Sequence, residues 1–494
     1  MTLVAGVDSS TQSCKVLIVD AGTGQTVRTG KASHPDGSEI APSHWWEALL
    51  EALDDAGGLT DVSAISVAGQ QHGMVLLDAD GRVLRDALLW NDTRSAGAAD
   101  DLVAEIGAAD LAQRCGSVPV ASFTITKIRW VRDNEPALVD KVAAVALPHD
   151  WLSWRLRGYG PAGESPLGPN LDQLVTDRSD ASGTGYWSPH TESYDLGLFE
   201  LAFGRSACEA APSQSSTAGA RAAGAIILPK VAAPSAVVGT IHPSLCEGPG
   251  GTSIKVGAGA GDNAAGALGL GAVPGDVVVS VGTSGTVFAV SEHPDADTTG
   301  TIAGFADASG AYLPIVVTLN AARILSTTAE LLGVDFDEFA RLALAAKPGS
   351  AGVVLVPYFE GERTPNLPDA TASFHGLSIA STTRENIARA SIEGMLCGLA
   401  GGLAAIQAAG MAVTRILLIG GAVQNTAVQV VAGQVFDVPL VVPTPGEYVA
   451  RGAAVQAAWS LNGTRPDWAL ESIASPPADH RAEILAQYRT VAGV

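Results

Sequence analysis

The sequence predicts an α/β fold of two related lobes facing a cleft, and three observations predict it. Apolar strand-like runs alternate with helix-like runs in the N-terminal part. A strand, a small polar turn and a second strand open the chain, and the same unit returns near residue 275. The 494 residues also exceed one ordinary core, since domains cluster at roughly 100–200 residues.

The elements follow in order. In "TLVAGVDSSTQSCKVLIVD", Leu3–Val7 and Lys15–Asp20 read as a hairpin. Ser43–Gly57 reads as a helix with Trp46, Leu49, Leu50 and Leu53 on its apolar face and Gly57 as its stop. Val62–Gln70 reads as a buried strand, followed by a hairpin that turns at Asp80-Gly81. Tyr159–Asn170 is rich in Gly and Pro and reads as a surface loop. Gly275–Glu292 repeats the strand–turn–strand unit. His242–Ser253 is the candidate connection between lobes, which gives lobes of 1–249 and 250–494.

Composition narrows the function. Hydrophobic residues at 47% against 16% charged exclude a largely disordered chain. A formal charge of −22 argues against nucleic acid as a partner, because the field repels phosphates. Cys14, Cys115, Cys208, Cys246 and Cys397 are scattered without a CxxC pair, which fits a reducing compartment better than a disulfide framework or a zinc site. The start lacks the pattern of a signal peptide, and no apolar run approaches a membrane span of roughly 18 residues. The expectation is a cytoplasmic protein without a membrane partner.

Four stretches carry chemistry. The turns "DSSTQS" (Asp8–Ser13) and "GTSGT" (Gly282–Thr286) offer amides and hydroxyls with no bulk in the way, as a polyphosphate requires. Either is also an ordinary hairpin turn. No GxxxxGK[ST] is present, and "GAGAG" (Gly257–Gly261) lacks the dinucleotide-binding setting. Asp8, at the first turn, either folds its own turn or meets phosphate through Mg²⁺, directly or through water. Gln70, Gln71 and His72 end a buried strand and suit sugar hydroxyls, or simply close a loop. Trp90, Asn91, Asp92 and Arg94 either line the same pocket or cap the next helix. Asp262 starts a helix in "GAGAGDNAAGALG". It is either the N-cap alone, or a carboxylate around which Gly257, Gly259, Gly261 and Gly266 clear room for a ligand.

Together these stretches resemble the FGGY carbohydrate kinases, over essentially the whole chain and in order. "GVDSSTQSCKV" and "SVGTSGTV" resemble the phosphate motifs, and "AGQQHGMVLLD" the sugar motif of the branch that acts on D-xylulose. "SFTITKIRWVRDN" and "FHGLSIASTTRENIARASIEG" resemble the two family signatures. "AGAGDNAAGALG" resembles the catalytic motif and "IGGAVQN" the adenosine motif, with Ile419 where the family has the first of three glycines. "PHDWLSWRLRG" and "SDASGTGYW" fit the same branch.

The resemblance implies an actin-like (ribonuclease H-like) ATPase fold, with ATP and sugar in a cleft between lobes. The N-terminal lobe would bind sugar and phosphate, and the C-terminal lobe would bind ATP and carry the base. It implies Asp262 as general base toward O5 of D-xylulose, with Gln71, His72 and Asn263 on the sugar. Asp8 would help place Mg²⁺; Thr11, Gly282 and Thr283 would meet phosphates, and Gly420, Gly421 and Asn425 the adenosine. A homodimer is common in such a family. Other kinases of the family, for L-ribulose, gluconate or glycerol, are the nearest alternative; a nucleotide-driven binding protein without phosphotransfer is a further one.

Overall fold

The computed structural model of the chain describes residues 1–211 and 224–493. Its first sheet is built around the N-terminal hairpin. Strands β1 (Leu3–Ser9) and β2 (Ser13–Asp20) pair antiparallel, and β3 (Thr26–Ser33) continues on β2. After helix α1 (Pro42–Asp55), strand β4 (Val62–Gly69) joins the other side of β1 in parallel. Helices α2 (Pro148–Leu156) and α3 (Arg178–Ser182) lie in a long insertion. Strands β5 (Val237–Thr240) and β6 (Lys255–Gly257) extend the sheet beyond β4, and the short β7 (Ala260–Gly261) pairs with the end of β4. Helix α4 (Asp262–Gly269) follows at once.

The second sheet repeats the pattern. Strands β8 (Asp276–Val281), β9 (Gly285–Ala289), β10 (Ala303–Ala306) and β11 (Tyr312–Thr318) form an antiparallel run in the order β10-β11-β9-β8. Helix α5 (Arg384–Ala408) then packs on this sheet. Strand β12 (Arg415–Ile419) joins β8 in parallel, as β4 joins β1. Helix α6 (Thr426–Val435), β13 (Leu440–Pro443), helix α7 (Tyr448–Asn462) and β14 (Ser472–Ala474) complete the lobe. Each sheet thus starts with a hairpin and places its next parallel strand beside the hairpin's first strand. This is the two-lobed, actin-like α/β arrangement that the resemblance implies.

Two expectations about elements change. Helix α1 buries Trp45, Ala48, Leu49, Ala52 and Leu53, whereas Leu50 is exposed and Trp46 lies at the margin. The alanines belong to the buried face because the helix lies almost on the sheet: a Cβ at Gly30 would sit 2.1 Å from the Ala52 carbonyl oxygen. The stretch His242–Ser253 is not a connection between lobes. It joins β5 to β6, neighbours in the first sheet, and the chain crosses to the second sheet only after α4. We propose a division of the lobes at residues 270–275. Helix α5 has the length and apolar composition of a membrane span, which the sequence reading did not anticipate, but 72% of its most apolar window is buried inside the protein. No disulfide joins the cysteines, all five of which lie among the described residues.

The lobes are joined where α7, from the C-terminal end, lies across both β1 and α4. Small residues let the backbones touch. A Cβ at Gly6 would fall 2.0 Å from the Ala450 oxygen, one at Gly269 2.0 Å from the Tyr448 oxygen, and one at Gly452 1.8 Å from the Ala265 oxygen. One continuous apolar cluster runs from Val4 and Ala68 through Ala265 and Ala454 to Val278 and Leu417, spanning both sheets.

A pair of glycine substitutions tests this joint. Gly452→Ala should cost about 1–3 kcal/mol or more in chemical denaturation, because backbone must move. Gly266→Ala, on the same helix pair but with its nearest neighbour 3.9 Å away, should leave stability unchanged or raise it by about 0.5–1 kcal/mol.

Candidate functional site

The parallel strands bring the predicted residues to one edge. Asp8 pairs across from Ala68, and Gly261 across from Gly69, so Asp8, Gln70–His72 and Asp262 all emerge at the carboxyl ends of β1, β4 and β7. In the second sheet Ser280 faces Ile419, so the turn at Gly282–Thr283 and the pair Gly420–Gly421 emerge together. Two cavities separate these edges. One, of about 320 Å³, is lined by Thr11, Gln71, His72, Gly282 and Thr283 among others. The second, of about 550 Å³, is lined by Asp8, Lys15, Gly420, Gly421 and Tyr448 among others. Asp262 and Asn263 line both, so the carboxylate stands where the cavities meet.

Asp262 is not the N-cap of its helix. Gly261 occupies that position, and Asp262 is the first helical residue. Its Oδ1 accepts from the Asn263 amide at 2.8 Å and from Asn263 Nδ2 at 3.0 Å. Enclosure by protein pushes its carboxyl up to about 6, against the pull of those bonds.

The glycines before it do not clear room for a ligand, as the sequence reading suggested. A Cβ at Gly261 would strike the Gln71 side chain at 2.7 Å, one at Gly259 the His149 ring at 2.3 Å, and one at Gly257 both Ser66 and Ser460 at 3.1 Å. They are small because protein packs against them. Gly259, at φ +91°, also has a backbone that favours glycine. Gln456 of α7 brackets it, Oε1 accepting from its amide at 2.8 Å and Nε2 donating to its carbonyl at 2.7 Å. The Gly261 amide donates to Ser179 Oγ at 3.0 Å. Only Gly266 faces a cavity, the one lined by Asp8.

On the smaller cavity, His72 adopts a positive φ of 68°. The strain is held from three sides. Its Nδ1 donates to the Gly183 carbonyl at 2.6 Å, and its own carbonyl accepts from Lys127 Nζ at 2.9 Å and from Thr124 Oγ1 at 3.3 Å. Burial, then the Lys127 charge, push the imidazole down to about 3, so the ring is neutral and Nε2 is an acceptor. Phe123 and Phe305 pack against it at centroid distances of 4.9 and 5.7 Å. Gln71 Nε2 donates to the Ser179 carbonyl at 3.3 Å. Trp90 lines the cavity and donates to Thr11 Oγ1 at 2.8 Å. Its neighbours do structural work: Asn91 bonds Gly37, and Asp92 holds Ser38 and Arg94.

On the larger cavity, Asp8 is buried beside Lys15, 3.9 Å away, and Lys15 pairs with Glu447 at 2.6 Å. Burial raises the Asp8 carboxyl to about 7, with Lys15 opposing and Asp262 adding to the rise. Its Oδ1 is buried without a hydrogen-bond donor. A hard, orphaned carboxylate oxygen at a cavity wall fits a Mg²⁺ ion. Asn425, expected at adenosine, is used otherwise: it caps α6 through the Ala427 amide and donates to the Phe336 carbonyl. Its neighbour Gln424 lines the cavity instead.

Sequence reasoning missed what stands behind the site. His149 Nε2 lies 3.3 Å from Asp150, 3.4 Å from Asp177 and 3.2 Å from Asp180, and all four side chains are buried. Burial opposes the imidazolium, but the three carboxylates outweigh it and hold the ring up to about 9. Asp177 also caps α3 by accepting from the Ser179 and Asp180 amides. That helix carries the Ser179 contacts to Gln71 and Gly261. The segments "PHDWL" and "SDASGT" fit the resemblance in the sequence, but their meeting is a tertiary fact. His149→Gln should therefore destabilise the protein at pH 6–7, by up to about 3–5 kcal/mol, since it removes the cation that Asp177 and the acids Asp150 and Asp180 share, the last two already held up by burial. His149 binds its proton more tightly folded than unfolded, so its contribution is full below about 6.5 and fades as pH rises through about 9. Urea melts of both proteins across this range should show the gap narrowing at high pH.

Comparison with known proteins bears on family and fold. The model for the N-terminal domain of the FGGY family of carbohydrate kinases matches residues 3–269, and that for its C-terminal domain matches residues 277–461. A xylulose kinase of Streptomyces coelicolor is 44% identical over 93% of this chain and 88% of its own length. One of Streptomyces rubiginosus is 43% identical over 94% and 89%. The crystal structure of xylulose kinase from Bifidobacterium adolescentis superposes with a TM-score of 0.90 at 46% identity, covering 100% of this chain and 99% of that one.

Proposed function

The chain belongs to the FGGY family of carbohydrate kinases, and from that premise we propose that it transfers the γ-phosphoryl group of ATP to O5 of D-xylulose. One observation carries the mechanism: Asp262 stands between a smaller cavity, lined by Gln71, His72 and the turn residues Thr11, Gly282 and Thr283, and a larger one lined by Asp8, Gly420 and Gly421.

The sugar lies in the smaller cavity, with Gln71, His72 and Asn263 on its hydroxyls. A neutral His72 offers Nε2 as acceptor, while the amides both donate and accept. The nucleotide lies in the larger cavity, with Gly420 and Gly421 near adenosine, and its terminal phosphate reaches past Asp262 toward Thr11, Gly282 and Thr283, which line the smaller cavity. Asp8 would hold Mg²⁺, which when bound neutralises phosphate charge. Asp262 takes the proton from O5 as the O5–P bond forms and the bond to the ADP oxygen breaks. Because the transition state is loose, alignment matters more than basicity, and a carboxylate suffices. Asn263, bonded to Oδ1, fixes its direction.

Substrate choice is checked by coupled ADP release with D-xylulose, L-ribulose, gluconate and glycerol. D-Xylulose should give the highest kcat/KM; a higher value for any other would overturn the assignment.

The acid limb of the rate profile is checked in the same assay. Asp262 must be ionised to accept a proton, and its carboxyl is raised to about 6. Turnover should therefore rise through about pH 6 and level off above about 7. A flat profile from pH 5 to 8 would remove Asp262 from the role of base.

A further inference from the structure

We propose that Arg363 recognises the ketone oxygen of the sugar, and so sets the preference for a ketose over the corresponding polyol. The inference rests on the reading of the chain as a ketose kinase and adds a residue from the second lobe to its sugar site.

Arg363 lines the smaller cavity together with His72, Phe123, Phe305 and Asp262. Its guanidinium makes no ion pair or hydrogen bond among the described residues. Arginines elsewhere in the first lobe are engaged: Arg94 by Asp92 and Glu39, Arg178 by Glu192, Arg85 by Glu39. The backbone that carries Arg363 is nevertheless firmly mounted. Glu362, itself buried, accepts from the Leu319 amide at 2.6 Å, the Asn320 carboxamide at 3.0 Å and the Arg363 amide at 2.8 Å. Asn320 also donates to the Gly361 carbonyl at 2.7 Å, and Thr364 Oγ1 to the Val317 carbonyl at 2.9 Å. A fixed mount with a free guanidinium aimed at a cavity is the construction of a binding group.

The chemistry selects the ligand atom. A guanidinium only donates, and the neutral His72 beside it presents Nε2, which only accepts. A hydroxyl satisfies either; a ketone oxygen satisfies only the guanidinium. The charge of Arg363 acts on His72, so the guanidinium stands beside the imidazole in the same cavity.

The experiment compares wild type with Arg363→Gln and Arg363→Lys, using D-xylulose as substrate and xylitol, which has a hydroxyl in place of the ketone, as competitive inhibitor. Loss of one charged hydrogen bond should lower kcat/KM for D-xylulose by about 10- to 100-fold in Arg363→Gln, with a smaller loss in Arg363→Lys. The inhibition constant for xylitol and the KM for ATP should each stay within about 3-fold. Equal weakening of xylulose and xylitol would overturn the proposal, as would unchanged kinetics. So would an effect confined to inhibition by D-xylulose 5-phosphate, which would make Arg363 a phosphate contact. A wild-type preference for a different ketose contradicts the D-xylulose reading alone, and the comparison then runs on that ketose and its polyol; a preference for a polyol overturns both.

Discussion

The contact on which the rest depends is between two helix backbones. Helices α4 and α7 approach until the carbonyls of Ala265 and Tyr448 leave no space for side chains at Gly452 and Gly269. Helix α4 begins with Asp262, and α7 also lies on Gly6 in the first strand. The position of the carboxylate is thus fixed by the joint between the lobes. The same helix supplies Gln456, which holds both backbone groups of Gly259 and so fixes the approach to Asp262.

Behind this joint, charge is traded for order. Three buried carboxylates around His149 keep α3 in place, and α3 in turn touches Gln71 and Gly261. Asp8 and Asp262 are themselves held above the ordinary carboxylate range by burial. These groups cost stability when ionised, since transfer from water penalises the charged form. Active sites commonly keep such costs because the chemistry uses them. A divalent cation at Asp8 would relieve part of the cost when nucleotide arrives.

Much of this was legible in the sequence where the signal is local. The hairpins, the buried strand ending in Gln70–His72 and the recurrence of the polar turn follow from apolar runs and turn residues. Asp262 stood out because a lone acid among glycines and alanines is unusual. The meaning of those glycines was not legible. Gly259 is small because of His149, and its backbone is held by Gln456; these lie about 110 and 200 residues away in the chain, and no window around residue 259 contains either. Arg363 carries no local signal either; its role depends on which cavity the loop reaches. At Asn425 the sequence alone does not separate a helix cap, which the fold shows, from a nucleotide contact, because both draw on the same residue type.

We propose that Asp262 acts as base at the meeting of the two cavities. Single-turnover phosphoryl transfer to D-xylulose by Asp262→Asn, with MgATP affinity measured on the same protein, tests it most directly. Transfer should fall by at least about 10²–10⁴-fold, as for loss of a positioned proton acceptor, while MgATP binds within about 3-fold of wild type and thermal stability holds or rises. Transfer near the wild-type rate would contradict the claim.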